Sequence, residues 1–208
     1  MNELKSNICI IDDDPSVRAS LSLLLNSAGF EVKCFQSAKV YLENQLNELN
    51  CCCLILDVQM PELSGLDLQK ELAKRNYSFP IIFITGHGDI PMSVQAMKNG
   101  AVDFLSKPFD DEQLLKAVSE AIKRSEQISK DQALKKQIQQ KLDNLTSREN
   151  EVLKYLITGM LNKQIAYELN ITERTIKAHR KQVFDKLDIK SMAELVRITE
   201  QMGIKPIE

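Results

Sequence analysis

Five short apolar runs, ICIID, EVKCF, CLILD, PIIFIT and AVDFLSK, alternate with helix-patterned stretches between residue 8 and about residue 124. This alternation restricts the front of the chain to repeated βαβ units that build a parallel sheet. The run CCLILD is too uniformly apolar for anything but a central strand covered on both faces. The helix after Asp14 opens with Pro15 at a favoured first-turn position and places Val17, Leu21, Leu24 and Leu25 on one face. It is expected to stop at Gly29 as its C-cap. Later helices are expected from about Ser37 to Glu48, Gly65 to Arg75, Pro91 to Asn99, and from Asp110 onward.

Four of the runs end on a residue able to handle phosphate: Asp12, Asp57, Thr85 and Lys107. Parallel neighbours bring their carboxyl ends to one edge of the sheet, where open α/β sheets bind ligands. Asp12, Asp13 and Asp57 offer oxygen ligands suited to Mg²⁺, a hard cation that keeps several waters. Lys107 can neutralise charge on a phosphoryl group and Thr85 can donate a hydroxyl, which together suggest Mg²⁺-assisted phosphoryl transfer to an aspartate. Taken alone, the run Asp12-Asp13-Asp14 reads equally well as a helix N-cap. Pro108 fits a rigid turn in which a cis peptide is open. His87, in the loop after Thr85, reads as a surface polar residue rather than an acid or base.

The net charge of −2 conceals an uneven distribution. Residues 1–124 carry 12 basic and 17 acidic side chains, whereas residues 141–208 carry 12 and 10, so nucleic acid is a partner to consider for the rear part only. Five cysteines, three of them adjacent at 51–53, suit neither a disulfide framework nor a metal site, and reduced thiols leading into a strand are expected. No apolar stretch reaches the ~18 residues of a membrane span, and MNELKSN leads straight into a strand, so no membrane partner and a cytoplasmic location are expected.

Residues 125–145 contain neither Gly nor Pro and read as a helical continuation or linker. Their partial stripe, Leu134, Ile138, Leu142 and Leu145, is too short for a convincing coiled coil, and a solvated connecting helix is preferred to a dimerising one. Four helices are expected beyond it. Thr146-Ser147-Arg148-Glu149 forms a capping box, the first helix ends at Thr158-Gly159, a short second runs from Asn162 to Leu169, and Asn170-Ile171 make a turn. Thr172 then caps a third helix to about Leu187, and a fourth covers Ser191 to Met202. Two short helices, a tight turn and a basic third helix make the helix-turn-helix arrangement.

On the third helix, Val183 and Leu187 fall within roughly 20° of Ile176 and must face the core, which leaves Arg174, Ala178, Lys181 and Asp185 outward with Lys177 at the edge. Long basic side chains beside a small Ala suit a helix in a major groove, with Lys177, Ala178 and Lys181 facing bases. Arg180 lies about 40° from the apolar centre and suits a phosphate or an intradomain pair. His179, on the other shoulder, reads as a core contact. Lys163 and Lys186 are candidate phosphate contacts.

Residues 8–124 resemble the receiver domain of two-component signalling, and residues 145–202 resemble the LuxR-type helix-turn-helix of the NarL/FixJ class of response regulators. The resemblance rests on IDDDPSVR, LDVQMPELSGLDL, PIIFITGHGDIPMSVQAMKNGAVDFLSKPF and LTSRENEVLKYLITGMLNKQIAYELNITERTIKAHRKQVFDKL. It implies an α/β receiver of flavodoxin-like, doubly wound topology over 1–124, a helical linker over 125–144 and an all-α DNA-binding domain over 145–208. By that resemblance Asp57 accepts the phosphoryl group, and Asp12, Asp13, Asp57 and the carbonyl of Gln59 hold Mg²⁺. Thr85 and Lys107 bind phosphate, and Phe104 is the switch aromatic. Thr175 joins the DNA-contacting set of Lys163, Lys177, Ala178, Arg180, Lys181 and Lys186.

The implied protein is a regulator and no enzyme beyond self-catalysed phosphotransfer and slow autodephosphorylation. Its implied partners are a sensor histidine kinase, double-stranded promoter DNA and, on phosphorylation, a second copy through helix 4 and strand 5, with RNA polymerase a further candidate. One departure is Glu62-Leu63 in place of a common Gly-Met pair. Two rivals stay open: a haloacid-dehalogenase-like phosphatase using the DxD spacing of Asp12-Asp13-Asp14, and a receiver-controlled adaptor that never touches DNA.

Overall fold

The structure, a computed structural model, describes residues 7–44, 51–86 and 90–207. The chain divides into two compact units, Met1–Ser129 and Lys130–Glu208.

In the first unit, β1 (Asn7–Ile11), β2 (Glu31–Phe35), β3 (Cys51–Asp57), β4 (Ile81–Thr85) and β5 (Asp103–Ser106) form a parallel sheet in the order β2-β1-β3-β4-β5. Side chains alternate between two cores. One takes Cys9, Ile11, Leu54, Leu56 and Phe83 together with Ala38, Tyr41, Leu68, Leu72 and Ala96, from α2 (Ala38–Glu43), α3 (Gly65–Lys74) and α4 (Ile90–Lys98). The other takes Ile8, Ile10, Cys53, Ile55, Ile82 and Ile84 with residues of α1 (Pro15–Ser27) and α5 (Asp111–Asp143). The three central strands are therefore apolar at nearly every position because both faces are covered, and each fully buried Ile or Leu contributes about 1.5–3 kcal/mol. Strand β2 lies at the edge and exposes Glu31, Lys33 and Cys34. The doubly wound sheet expected from the sequence is present, with the expected helix after each strand.

Local chemistry sets the helix ends. Asp14 caps α1 by accepting from the Ser16 amide at 2.7 Å, and Ala28 is its C-cap, with Gly29 following at φ +92°. The second helix is shorter than expected: Asn44 leaves helical geometry with ψ 154°, and the remainder of the segment toward Glu48 lies outside the described residues. All five cysteines are reduced; Cys51 and Cys53 are buried, and loss of solvent pushes both thiols well up.

Helix α5 is continuous over 33 residues, about 50 Å, and the division between the units falls inside it. The expected solvated stripe is corrected within the second unit. Leu142 and Leu145 pack against that unit's core and Ile138 is 8 % exposed, while Leu134 stays 48 % exposed, so the C-terminal part of the stripe is covered by protein.

The second unit adds α6 (Ser147–Leu156), α7 (Asn162–Glu168), α8 (Glu173–Leu187) and α9 (Met192–Gln201) around Val152, Leu153, Leu156, Ile165, Ile176, Val183, Leu187 and Leu195. The tight α7–α8 turn passes through Asn170 at φ 51°, a left-handed position that Asn tolerates. Thr146 and Glu149 complete the capping box of α6. The Glu149 carboxylate accepts from Lys186 Nζ at 2.6 Å and from the Thr146 amide at 2.7 Å, and these bonds, Lys186 first, hold its carboxyl below the ordinary 4.5. A carboxyl lowered by folding stabilises the native state above its unfolded pKa, and that contribution is lost as pH falls through the native value. Thermal melts of Glu149→Gln are therefore expected to depend less on pH than wild type between about pH 5 and about pH 3.

Candidate functional site

Asp12, Asp57, Thr85 and Lys107 meet at the carboxyl edge of the sheet because β1, β3 and β4 end there side by side and the β5–α5 loop follows. Asp12, Asp57 and Thr85 are 1 %, 6 % and 1 % exposed. Lys107 bridges the two carboxylates, with its Nζ 2.9 Å from Asp12 Oδ2 and 3.3 Å from Asp57 Oδ1. The remaining oxygens are held from the backbone: the Asp14 amide donates to Asp12 Oδ1 at 2.9 Å, and the Gln59 amide donates to Asp57 Oδ2 at 3.0 Å. Behind the site, the Lys107 amide donates to the Thr85 carbonyl at 2.7 Å, and the Lys107–Pro108 peptide is cis.

Burial pushes the Asp57 carboxyl above its ordinary range, Lys107 opposes this, and the neighbouring Asp12 adds to it. Burial alone would pull the Lys107 ammonium down, but its hydrogen bond to Asp12 and the charges of Asp12 and Asp57 outweigh it and leave the group above its ordinary value. The cluster thus holds excess negative charge next to a fixed cation.

The aspartate run has divided roles. Asp14 is the N-cap, Asp12 points into the site, and Asp13 is exposed. Among the described residues no three His, Cys, Asp or Glu side chains converge as a ready-made metal group. The donors nevertheless suit Mg²⁺, which takes one or two carboxylates and fills its remaining positions with water and phosphate oxygens. Gln59 is exposed beside Asp57, and Phe104 is half-buried with its ring 6.2 Å from that of Phe83. Glu62 adopts φ 66° and stands 3.8 Å from Lys39, both exposed. His87 lies outside the described residues.

Two supporting residues escaped the sequence reading. Arg18 Nη1 donates to the Asp12 carbonyl at 2.7 Å. Gly65, the first residue of α3, donates its amide to the Val58 carbonyl at 3.0 Å, and a Cβ there would collide with the Asp57 carbonyl oxygen. Neither contact has a local sequence signal, because each depends on how a helix docks beside a strand end.

In the second unit, Lys163, Arg174, Lys177, Ala178 and Lys181 are exposed, while Ile176, Val183 and Leu187 are buried, as the helical wheel requires. Lys177 pairs along the helix with Glu173 at 3.0 Å. Thr175 lies at the start of α8, its amide donating to the Thr172 hydroxyl at 3.2 Å. Arg180 and Lys186 have intradomain partners: the Arg180 guanidinium is 3.5 Å from Asn162 Oδ1 and 5.4 Å from the centre of the Phe184 ring, and Lys186 binds Glu149. His179 is half-buried, with Nδ1 lacking a hydrogen-bond partner.

Comparison with known proteins extends these observations to the whole chain. Residues 8–119 match the response regulator receiver domain, and residues 143–199 match the bacterial regulatory proteins of the luxR family. Response regulator protein TmoT of Ectopseudomonas mendocina is 48 % identical over 97 % of this chain and 91 % of its own length. Transcriptional regulatory protein FixJ of Bradyrhizobium diazoefficiens is 42 % identical over 96 % of this chain and 97 % of its own. Among solved structures, response regulator StyR superimposes with a TM-score of 0.77 at 44 % identity, covering 95 % of this chain and 99 % of that one. Full-length FixJ from B. japonicum superimposes with a TM-score of 0.58 at 42 % identity, covering 96 % and 98 %. No helix among the described residues is long and apolar enough to cross a membrane. With a receiver's sheet edge in one unit and a helix-turn-helix in the other, the chain belongs to the two-component response regulators of the NarL/FixJ class, which are phosphorylation-regulated transcription regulators.

Proposed function

We propose that a sensor histidine kinase passes its phosphoryl group to Asp57 and that this transfer raises the chain's occupancy of promoter DNA. The observation that carries the reading is the Asp12–Lys107–Asp57 cluster, where a buried carboxylate is held beside a fixed ammonium at the sheet edge. An Asp57 oxygen forms the new bond to phosphorus as the bond between phosphorus and the donor nitrogen breaks. Lys107 compensates charge on the transferred group and Thr85 offers it a hydroxyl. Mg²⁺, held by Asp12, Asp13, Asp57 and the Gln59 carbonyl, would supply further charge compensation when bound. In this reading the functional divisions are a receiver over 1–124, a linker over 125–144 and a DNA-binding domain over 145–208.

Dimerisation through α4 and β5 is the proposed consequence. Its support is an apolar stripe on α4, where Ile90, Val94 and Met97 are 79 %, 45 % and 46 % exposed at helical spacing. Phe104, on β5, is the switch residue in this reading. Two coupled helix-turn-helix modules gain avidity on half-sites about one DNA turn apart, and RNA polymerase is a further partner of the assembled form. The test is sedimentation and duplex binding of wild type and Asp57→Ala, each with and without acetyl phosphate and Mg²⁺. Tighter dimers and higher occupancy are expected for treated wild type alone; equal occupancy in Asp57→Ala would sink the reading.

On the DNA side, Lys181→Ala is expected to lose about 1–3 kcal/mol on a duplex enriched by the wild-type chain, with a much smaller loss on mixed sequence. Titrations of both duplexes by fluorescence anisotropy check this.

A further inference from the structure

The last turns of α5 and α8 exchange lysines. Lys141, on α5, places Nζ 3.2 Å from the Leu187 carbonyl and 3.3 Å from Asp188 Oδ2. Lys186, on α8, places Nζ 3.1 Å from the Asn144 carbonyl and 2.6 Å from Glu149 Oε2. Carbonyls in the last turn of a helix lack intrahelical donors and carry the negative end of its dipole. Asp188 turns the chain out of α8 in a left-handed conformation at φ 56°, which leaves the Leu187 carbonyl open to Lys141. Beneath this exchange, Leu142 and Leu145 pack on the core that includes Leu153 and Leu187. Glu149, 3 % exposed, serves both the α6 capping box and this latch.

We propose that Lys141, Lys186 and Glu149 are positioning residues for DNA recognition, holding α8 by its C-terminal end against residues 130–145. The proposal rests on the DNA-binding reading above and removes Lys186 from the phosphate contacts. The base-facing candidate Lys181 lies five residues before Lys186, about 8 Å along the helix axis. A slight tilt of α8 about its buried Ile176 and Val183 would displace side chains at the groove, and hydrogen bonds to base edges weaken steeply with distance and angle. Contacts to phosphate, which carry no sequence information, depend far less on that register.

This separates positioning from direct contact. Loss of a phosphate-binding lysine weakens binding to every sequence and makes the salt dependence shallower. Loss of a positioning residue weakens the specific complex and leaves the salt dependence unchanged. Glu149 gives the sharpest contrast, because removing a negative charge from a DNA-binding unit should strengthen binding if charge alone matters.

The experiment uses full-length Lys186→Met, Glu149→Gln, Lys141→Met and Lys141→Arg at a temperature where circular dichroism shows each folded. Each is titrated over a salt series with two duplexes, one enriched by wild type from a random pool and one of mixed sequence. Lys186→Met and Glu149→Gln are expected to lose about tenfold on the enriched duplex and less than about twofold on the mixed one, with the wild-type salt slope. The more exposed Lys141→Met is expected to lose about threefold, and Lys141→Arg, which keeps the donor, to match wild type. Should Lys186→Met or Glu149→Gln not fold, the Lys141 pair alone decides. A parallel loss on both duplexes with a salt slope shallower by about one would make Lys186 a phosphate contact and overturn the latch. Unchanged specific affinity in the folded variants would also overturn it, leaving the lysines a role in stability only. A wild type that binds neither duplex in a salt-dependent way would remove the DNA-binding reading and the latch with it.

Discussion

Asp57→Ala is expected to gain no mass on incubation with acetyl phosphate and Mg²⁺, while wild type gains a single phosphoryl group that hydroxylamine removes. The expectation follows from the placement of the carboxylates. Asp12 shares the same ammonium and, like Asp57, has its other oxygen held by the amide two residues on, but its side chain is only 1 % exposed against 9 % for Asp57, so Asp57 is the carboxylate a donor can reach. Asp57 lies at the end of β3, in the middle of the sheet, with Lys107 on one oxygen and the Gln59 amide on the other. Without the Asp57 carboxylate, Lys107 keeps its bond to Asp12 and no equivalent nucleophile replaces the one removed. Intact-mass spectrometry decides the matter. The same adduct on both proteins would take Asp57 out of the mechanism and return weight to a phosphatase-like use of Asp12.

Gly65→Ala is expected to destabilise the first unit by about 2–3 kcal/mol, within the range for an added methyl group in closely packed surroundings. The added Cβ meets the Asp57 carbonyl oxygen, which is backbone in a central strand and cannot rotate aside, with Leu56 Cγ at 3.0 Å behind it. Relief requires α3 to move away from β3, which stretches the bond from the Gly65 amide to the Val58 carbonyl. For a domain of this size the loss corresponds to a fall in melting temperature on the order of 10 °C. Because the clash falls on the backbone of Asp57 itself, the phosphorylation rate should fall as well. Calorimetry together with the mass assay checks both; an unchanged melting temperature would mean that α3 accommodates the methyl group freely.

What could be read in advance divides along physical lines. Uniformly apolar β3 and β4 announced a doubly covered parallel sheet, and the residues that close β3 and β4 and follow β5 announced the Asp57–Thr85–Lys107 edge, because the apolar run of a strand and the residue that ends it are local properties. Caps such as Thr146 and Thr172 were equally legible, since each acts on an amide three residues away. Contacts that depend on docking were not. The partner of Lys186 is 37 residues distant, and helical periodicity alone gave no sign of that ion pair. Ile138 and Leu142 showed that α5 has an apolar face, but not that Leu142 meets the core of the second unit. Arg18 and Gly65 gave no signal because their partners, the carbonyls of Asp12 and Val58, are invisible in side-chain chemistry.

The run Asp12-Asp13-Asp14 is uniform in composition, yet one member is buried, one faces solvent and one caps α1. It is read by position rather than by content. Deletion of a single aspartate codon would leave an acidic stretch ahead of Pro15 that any alignment would score as intact. The shortened loop, however, would have to give up either the buried acid or the helix cap, because β1 and α1 fix its two ends.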